Sequence, residues 1–176
     1  MQALEGQFAR NYNRRKNRIN AFWGDNYHAT LVEDGEYLWN CLCYIELNMV
    51  RCGVVAHPRE WKWVGYHEIT GAWRRNRVID LDRLCWRLGT DSVEEVRKNL
   101  EVSLTERIAE GRLKREPCWT QSLAVGSLPF LERVERRITA RKETKIVETS
   151  CNLWALQESP ISYGPENRAE KCAIGP

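Results

Sequence analysis

The sequence DGEYLWNCLCYIELNMVRCG, residues 34–53, is the best-defined structural unit of this chain. Asp34 is a residue type that caps helix N-termini, and Gly53 is a residue type that follows helix C-termini. The stretch therefore predicts one complete helix. Its apolar residues recur at helical spacing and predict a face that packs against a core. These residues are Leu38, Leu42, Ile45 and Met49.

A neighbouring stripe of the same helix carries side chains that could react or bind a metal. Its members are Tyr37, Cys41, Tyr44 and Asn48. Tyr44 and Asn48 lie one turn apart, so their side chains project side by side. Such a pair suits a nucleophile beside a metal ligand, and it equally suits a packed tyrosine hydrogen-bonded to an asparagine. Spacing alone favours the packed pair, because any tyrosine on a half-buried helix has this pattern.

The run CYIELNMVRCGVVAHPREWKWVGYH, residues 43–67, resembles the signature of the REP-associated tyrosine transposases, relatives of the single-strand insertion-sequence transposases. The resemblance extends upstream through MQAL and YNRRKNRINAFWGD and downstream through LKREPCWTQSLAVGS. It implies that Tyr44 is the catalytic residue that attacks a DNA phosphate and leaves a 5′-phosphotyrosyl intermediate. It also implies that Asn48 helps to hold Mg²⁺ or Mn²⁺.

The chain departs from that family in its histidines. The family carries a His-hydrophobic-His (HUH) pair on a strand before the tyrosine helix, whereas His28, His57 and His67 are far apart here. The resemblance is therefore to a transposase that lacks its N-terminal half. One carboxamide oxygen cannot hold Mg²⁺ alone, since that ion requires octahedral coordination. We expect this chain by itself to bind no metal and to cleave no DNA.

Basic residues predict where DNA would bind. The acid-free stretch 7–24 interleaves cations with aromatic residues, which suits phosphate neutralisation and base stacking, and it equally suits a solvated helix end. A second basic patch follows near residue 75. The predicted DNA-binding residues are Arg10, Arg14, Arg15, Lys16, Arg18, Trp23, Arg74, Arg75 and Arg77.

The predicted fold is α+β and mostly helical. Residues 1–71 form the C-terminal remainder of a ferredoxin-like HUH domain by resemblance, with a basic helix over 2–16, a strand over 27–32 and the tyrosine helix. The lone strand needs a cover from the rest of the chain, a second copy or another protein. Residues 72–141 form an accessory helical region, and residues 142–176 form a largely disordered tail.

Three further helices are predicted in the second region. The first ends at Gly89, the second begins at a capping box formed by Ser92 and Glu95 and runs to Gly111, and the third is capped by Ser127 and ends near residue 141. In the tail, the apolar residues around Trp154 are expected to dock on the body of the protein.

Composition sets outer limits on the function. The 176 residues carry a net charge of only +3, so the local distribution of charge has to support any DNA-binding role. We expect a cytoplasmic protein with no membrane partner, because no apolar run reaches ~20 residues. The seven scattered Cys predict buried free thiols rather than zinc ligands.

Three hypotheses follow from these patterns. The first is a transposase remnant that binds single-stranded or hairpin DNA without cutting it. The second is a subunit that supplies Tyr44 in trans, in a dimer or with a histidine-bearing transposase partner. The third is a non-catalytic helical interaction or structural protein with no DNA role.

Overall fold

The computed structural model describes residues 2–19, 22, 28–72, 78–138, 143–149 and 153–159. In this part of the chain the architecture is α+β and mainly helical, with one four-stranded mixed sheet. The helices are α1 (Gln2–Lys16), α2 (Glu36–Glu46), α3 (Asn48–Arg51), α4 (Tyr66–Ile69), α5 (Leu81–Leu88), α6 (Val93–Ala109), α7 (Cys118–Gln121) and α8 (Leu128–Ile138), with a 3₁₀ turn at Pro58–Glu60. The strands are β1 (Leu31–Val32), β2 (Ala124–Val125), β3 (Thr144–Glu148) and β4 (Trp154–Glu158).

The predicted tyrosine helix is present but is shorter and divided. It begins at Glu36 after Gly35, and Leu47 separates α2 from the single turn of α3. Asp34 does not cap the helix, because its carboxylate pairs with Arg87 of α5 at 2.8 Å. Gly53 has a φ of 69°, the left-handed conformation that favours glycine after a helix.

The predicted inner face of α2 is wrong in part. Ile45 is 56% exposed, whereas Cys43, Glu46 and Leu47 are buried. The reason is that α2 lies between two apolar clusters, one on α5 and α6 and the other on the sheet. Ile45 lies on the strip of the helix that faces neither cluster.

The sheet supplies the partner that the predicted strand requires. The strand is reduced to Leu31–Val32, which pairs in parallel with Ala124–Val125. The sheet order is β1-β2-β4-β3, and β4 pairs antiparallel with both β2 and β3. One edge of β1 is therefore covered by β2, which lies far along the same chain.

The largest correction concerns the tail. The prediction of a largely disordered segment from residue 142 is wrong for β3 and β4, which pair along their full length. The expectation that apolar tail residues dock is confirmed, since Leu156 is fully buried and Trp154 packs against the same cluster. Residues 160–176 lie outside the described part of the chain.

The main hydrophobic core joins the two predicted domains. Leu47 of α2 and Ile69 of α4 belong to one buried cluster with Cys85 of α5 and Leu100 of α6. Packing therefore crosses the predicted boundary after residue 71.

The three predicted downstream helices are confirmed as α5, α6 and α8. Ser92 accepts a hydrogen bond from the Glu95 backbone N–H at 3.2 Å, as its capping role requires. Gly89 ends α5 in the left-handed conformation, with a φ of 76°. Helix α1 also forms as predicted, but its apolar stripe is not buried, since Leu4 is 69% exposed.

Candidate nucleic-acid interface

Tyr44 lies where α2 meets the sheet. Its ring is half-buried and packs with its centroid 6.3 Å from that of Trp119, in a cluster that includes Val125 of β2 and Ala155 of β4. The sequence produces this position because Tyr44 lies on the side of α2 that packs against the sheet cluster, about 100° around the helix from the exposed Ile45. Tyr44 is thus held in place by apolar contacts on one side.

Arg51 covers the same tyrosine. Its guanidinium carbon lies 4.0 Å from the centroid of the Tyr44 ring, close enough for a cation–π interaction. Both terminal nitrogens of Arg51 lie 3.4 Å from the Tyr44 carbonyl oxygen. Sequence reasoning missed Arg51 as a site residue, although its spacing of seven residues, about two helical turns, puts it on the same side as Tyr44.

Asn48 lies beside Tyr44 as predicted, but its oxygen is already engaged. Arg51 Nη2 donates a hydrogen bond to Asn48 Oδ1 at 3.0 Å. A divalent cation at this oxygen would be repelled by the guanidinium, so Asn48 as placed here does not fit the metal site that the resemblance implies. In the residues covered by the structure, no group of three His, Cys, Asp or Glu side chains is placed to hold a metal ion.

The histidines make contacts elsewhere in the molecule. The His28 ring lies 3.2 Å from the Ser122 carbonyl oxygen, and the His67 ring lies 3.1 Å from the Trp61 carbonyl oxygen. His57 Nδ1 accepts a hydrogen bond from the Arg59 backbone N–H, and burial lowers the pKa of His57. These contacts fix loop geometry.

Helix α1 and the residues that follow it present the first predicted basic patch to solvent. The exposed cations are Arg10, Arg14, Arg15, Lys16 and Arg18. Aromatic rings lie among them, with Arg15 5.7 Å from the ring centroid of Tyr12 and Arg18 5.9 Å from that of Phe22. Phe8, Tyr12 and the two arginines at 14 and 15 line a cavity of about 380 Å³.

The other predicted DNA-binding residues fall outside the described part of the chain. They are Trp23, Arg74, Arg75 and Arg77.

Comparison with known proteins leaves the family open. The chain matches no family model, no curated protein and no solved structure. The resemblance to tyrosine transposases therefore remains an inference from sequence. Among the helices that the structure describes, none is both long enough and apolar enough to cross a membrane.

Thiol chemistry near Tyr44 gives a first testable prediction. Burial raises the pKa of Cys41 and of Cys43 to about 11, and a carboxylate, Glu116, adds to the effect at Cys41. Because the thiolate is the reactive form, both should react slowly at neutral pH, whereas Cys52 is exposed. Brief iodoacetamide treatment at pH 7 followed by peptide mass spectrometry should label Cys52 before Cys41 and Cys43. Faster labelling at Cys43 would contradict the packing of α2, and labelling in urea controls for intrinsic differences.

Proposed function

We propose that this chain binds single-stranded or hairpin DNA, derives from a tyrosine transposase, and does not cleave DNA by itself. The observation that carries the proposal is the guanidinium of Arg51 over the half-buried ring of Tyr44. A tyrosine sealed in an apolar interior could not meet a phosphate. Here the phenol lies beside a cation at the edge of the core, where a DNA phosphate would find both a positive charge and hydrogen-bond donors.

The fold assignment under this proposal is the remainder of a ferredoxin-like HUH domain followed by accessory helices. Its support is the direct passage from β1 into α2 and the packing of α2 against the sheet, which is the order of strand and tyrosine helix that the resemblance implies. No cleavage step is assigned, because Asn48 offers one oxygen and that oxygen accepts from Arg51.

Helix α1 supplies the second element of the proposed interface. Its exposed cations neutralise phosphates and release counterions, and the rings of Tyr12 and Phe22 offer faces for base stacking. Because these contacts go to backbone charge and to any base face, they provide affinity for single strands with little sequence preference.

A charge-matched pair of variants tests this proposal. Replacing Arg14, Arg15 and Lys16 together with alanine should weaken binding to a fluorescent hairpin roughly tenfold at low salt and reduce the log–log salt slope by about 2. Alanine is the best helix former, so α1 should persist. Fluorescence anisotropy over a salt series measures both quantities.

The control removes the same net charge from α8, by replacing Arg133, Arg136 and Arg137 with alanine. These three residues are exposed. Equal weakening by both variants would show a global charge effect, and absence of binding by the unaltered chain would overturn the proposal.

The exposed apolar side of α1 favours an alternative, a non-catalytic interaction protein. Leu4 is 69% exposed and Phe8 is 49% exposed, and apolar side chains in this arrangement suit contact with another protein. The same hairpin titration separates the two functions, since an interaction protein of this kind would show no DNA affinity.

A further inference from the structure

A cavity of about 630 Å³ lies beside α2, next to the tyrosine site. Asn40 of α2, Arg107 of α6 and Leu153 before β4 contribute to its wall, together with the loop that follows α6. Arg107 donates a hydrogen bond to Asn40 Oδ1, which ties α6 to α2 at this point. Three separate elements therefore hold the wall in place.

Cations dominate this wall. The lining contains four cations and two carboxylates, which leaves an excess of two positive charges. The cations are Arg107, Arg112, Lys114 and Arg115, and the carboxylates are Glu110 and Glu116. The two carboxylates therefore neutralise only part of the positive charge of the lining.

Both carboxylates already have partners. Glu110 forms an ion pair with Arg112, and Glu116 accepts a hydrogen bond from the Trp119 indole N–H. In the portion of the chain that the structure describes, Lys114 and Arg115 have no ion-pair partner. Two flexible cations are therefore available to an incoming anion.

The cavity is close to Tyr44 along the helix. Asn40 and Tyr44 are four residues apart, which places them on the same side of α2 about one turn from each other. Leu153 also packs in the cluster that contains Tyr44, and Trp119 contacts Tyr44 while its indole holds Glu116. A DNA strand that contacted Tyr44 could continue into the cavity.

We infer that this cavity binds a backbone phosphate of the DNA strand, a contact that rests on the proposed DNA binding. Guanidinium and ammonium groups suit phosphate oxygens, the guanidinium through paired donors and the ammonium as a point charge. Among the described residues that line the cavity there is no aromatic ring, so the lining favours contacts with phosphate over base stacking. It therefore contacts the backbone and adds affinity without reading sequence.

The test replaces Lys114 and Arg115 with alanine in the full chain and titrates two hairpins of unrelated sequence. The expected result is a decrease of about 1.4 in the log–log salt slope and a loss of affinity of roughly tenfold at about 0.1 M salt, equal for both hairpins. The matched control replaces Arg136 and Arg137 of α8 with alanine, and its slope should stay at the original value. Unchanged thermal unfolding shows that the loop variant is folded.

The outcomes separate this inference from the proposed function. Binding by the unaltered chain with the same slope in the loop variant would overturn the phosphate site and leave DNA binding intact. Absence of binding by the unaltered chain would overturn both. Unequal losses for the two hairpins would overturn a backbone contact. Added inorganic phosphate that weakens the unaltered chain more than the loop variant would support the site independently.

Discussion

Replacing Leu156 with alanine is expected to lower the free energy of unfolding by about 3 kcal/mol. Leu156 is fully buried in a cluster with Ala124 of β2 and Leu131 of α8. Its backbone carbonyl also accepts a hydrogen bond from the Leu123 N–H at 2.8 Å, so the strand that carries it cannot shift easily to fill the cavity. Urea unfolding followed by tryptophan fluorescence measures the change.

The matched control is the same substitution at an exposed leucine. Leu128, at the start of α8, is 40% exposed, and its replacement with alanine should cost less than about 1 kcal/mol. Equal losses at the two positions would mean that β4 contributes no more than a surface residue does. The tail would then add little to stability, as expected of a largely disordered segment.

The short strands of the tail explain why the sequence predicted disorder where the structure has β3 and β4. β3 and β4 have five residues each, and β2, the other partner of β4, has two, so none of them carries a long alternating pattern. β4 also pairs with a strand that lies about thirty residues earlier, at Ala124 and Val125. Such pairing depends on distant segments meeting, which local composition does not report. The helices were predictable because caps and period are local, as Ser92 illustrates.

Only the part of the candidate site that depends on local helical spacing was predictable from the sequence. The adjacency of Tyr44 and Asn48 follows from helical spacing and is present. The spacing also puts Arg51 on the side of Tyr44, but the cation–π contact itself does not follow from it, because that contact depends on side-chain conformation and on the backbone at Leu47. The basic cavity depends on three distant segments, near residues 40, 112 and 153, and no spacing rule joins them.

Glu46 of α2 carries a carboxyl group that is buried in the folded protein. Only 2% of the residue is exposed, and its Oε2 accepts a hydrogen bond from the Tyr66 backbone N–H at 2.7 Å. The backbone at Gly65 is so close that an added Cβ would lie 2.5 Å from Glu46 Oε1. Burial raises the pKa of Glu46 to about 7, and the hydrogen bond from Tyr66 opposes only part of that effect.

Replacing Glu46 with glutamine should remove a large part of the pH dependence of stability. A raised pKa means that the folded protein binds the proton more tightly than the unfolded chain. The contribution of this group to stability is therefore fully present below pH 4.5 and is lost as the pH rises through about 7. Glutamine resembles the neutral acid and keeps an oxygen for the Tyr66 N–H. We expect Glu46→Gln to match the original chain near pH 4 and to be more stable by about 2–3 kcal/mol near pH 8.

Urea unfolding at a series of pH values between these limits measures the difference directly. Glu106→Gln is the control, because Glu106 is an exposed residue of α6 and its substitution should shift stability by about the same small amount at every pH. A Glu46→Gln profile that runs parallel to that of the original chain would show that Glu46 is not desolvated in the folded protein. Convergence of the two curves at low pH, with a separation that grows between about pH 4.5 and 7 and then levels off, would instead show that ionisation of this carboxyl weakens the packing of α2 on the turn at Gly65. The tyrosine helix would then be held most firmly when Glu46 is protonated, so the position of Tyr44 would depend on a group that lies on the opposite side of its own helix.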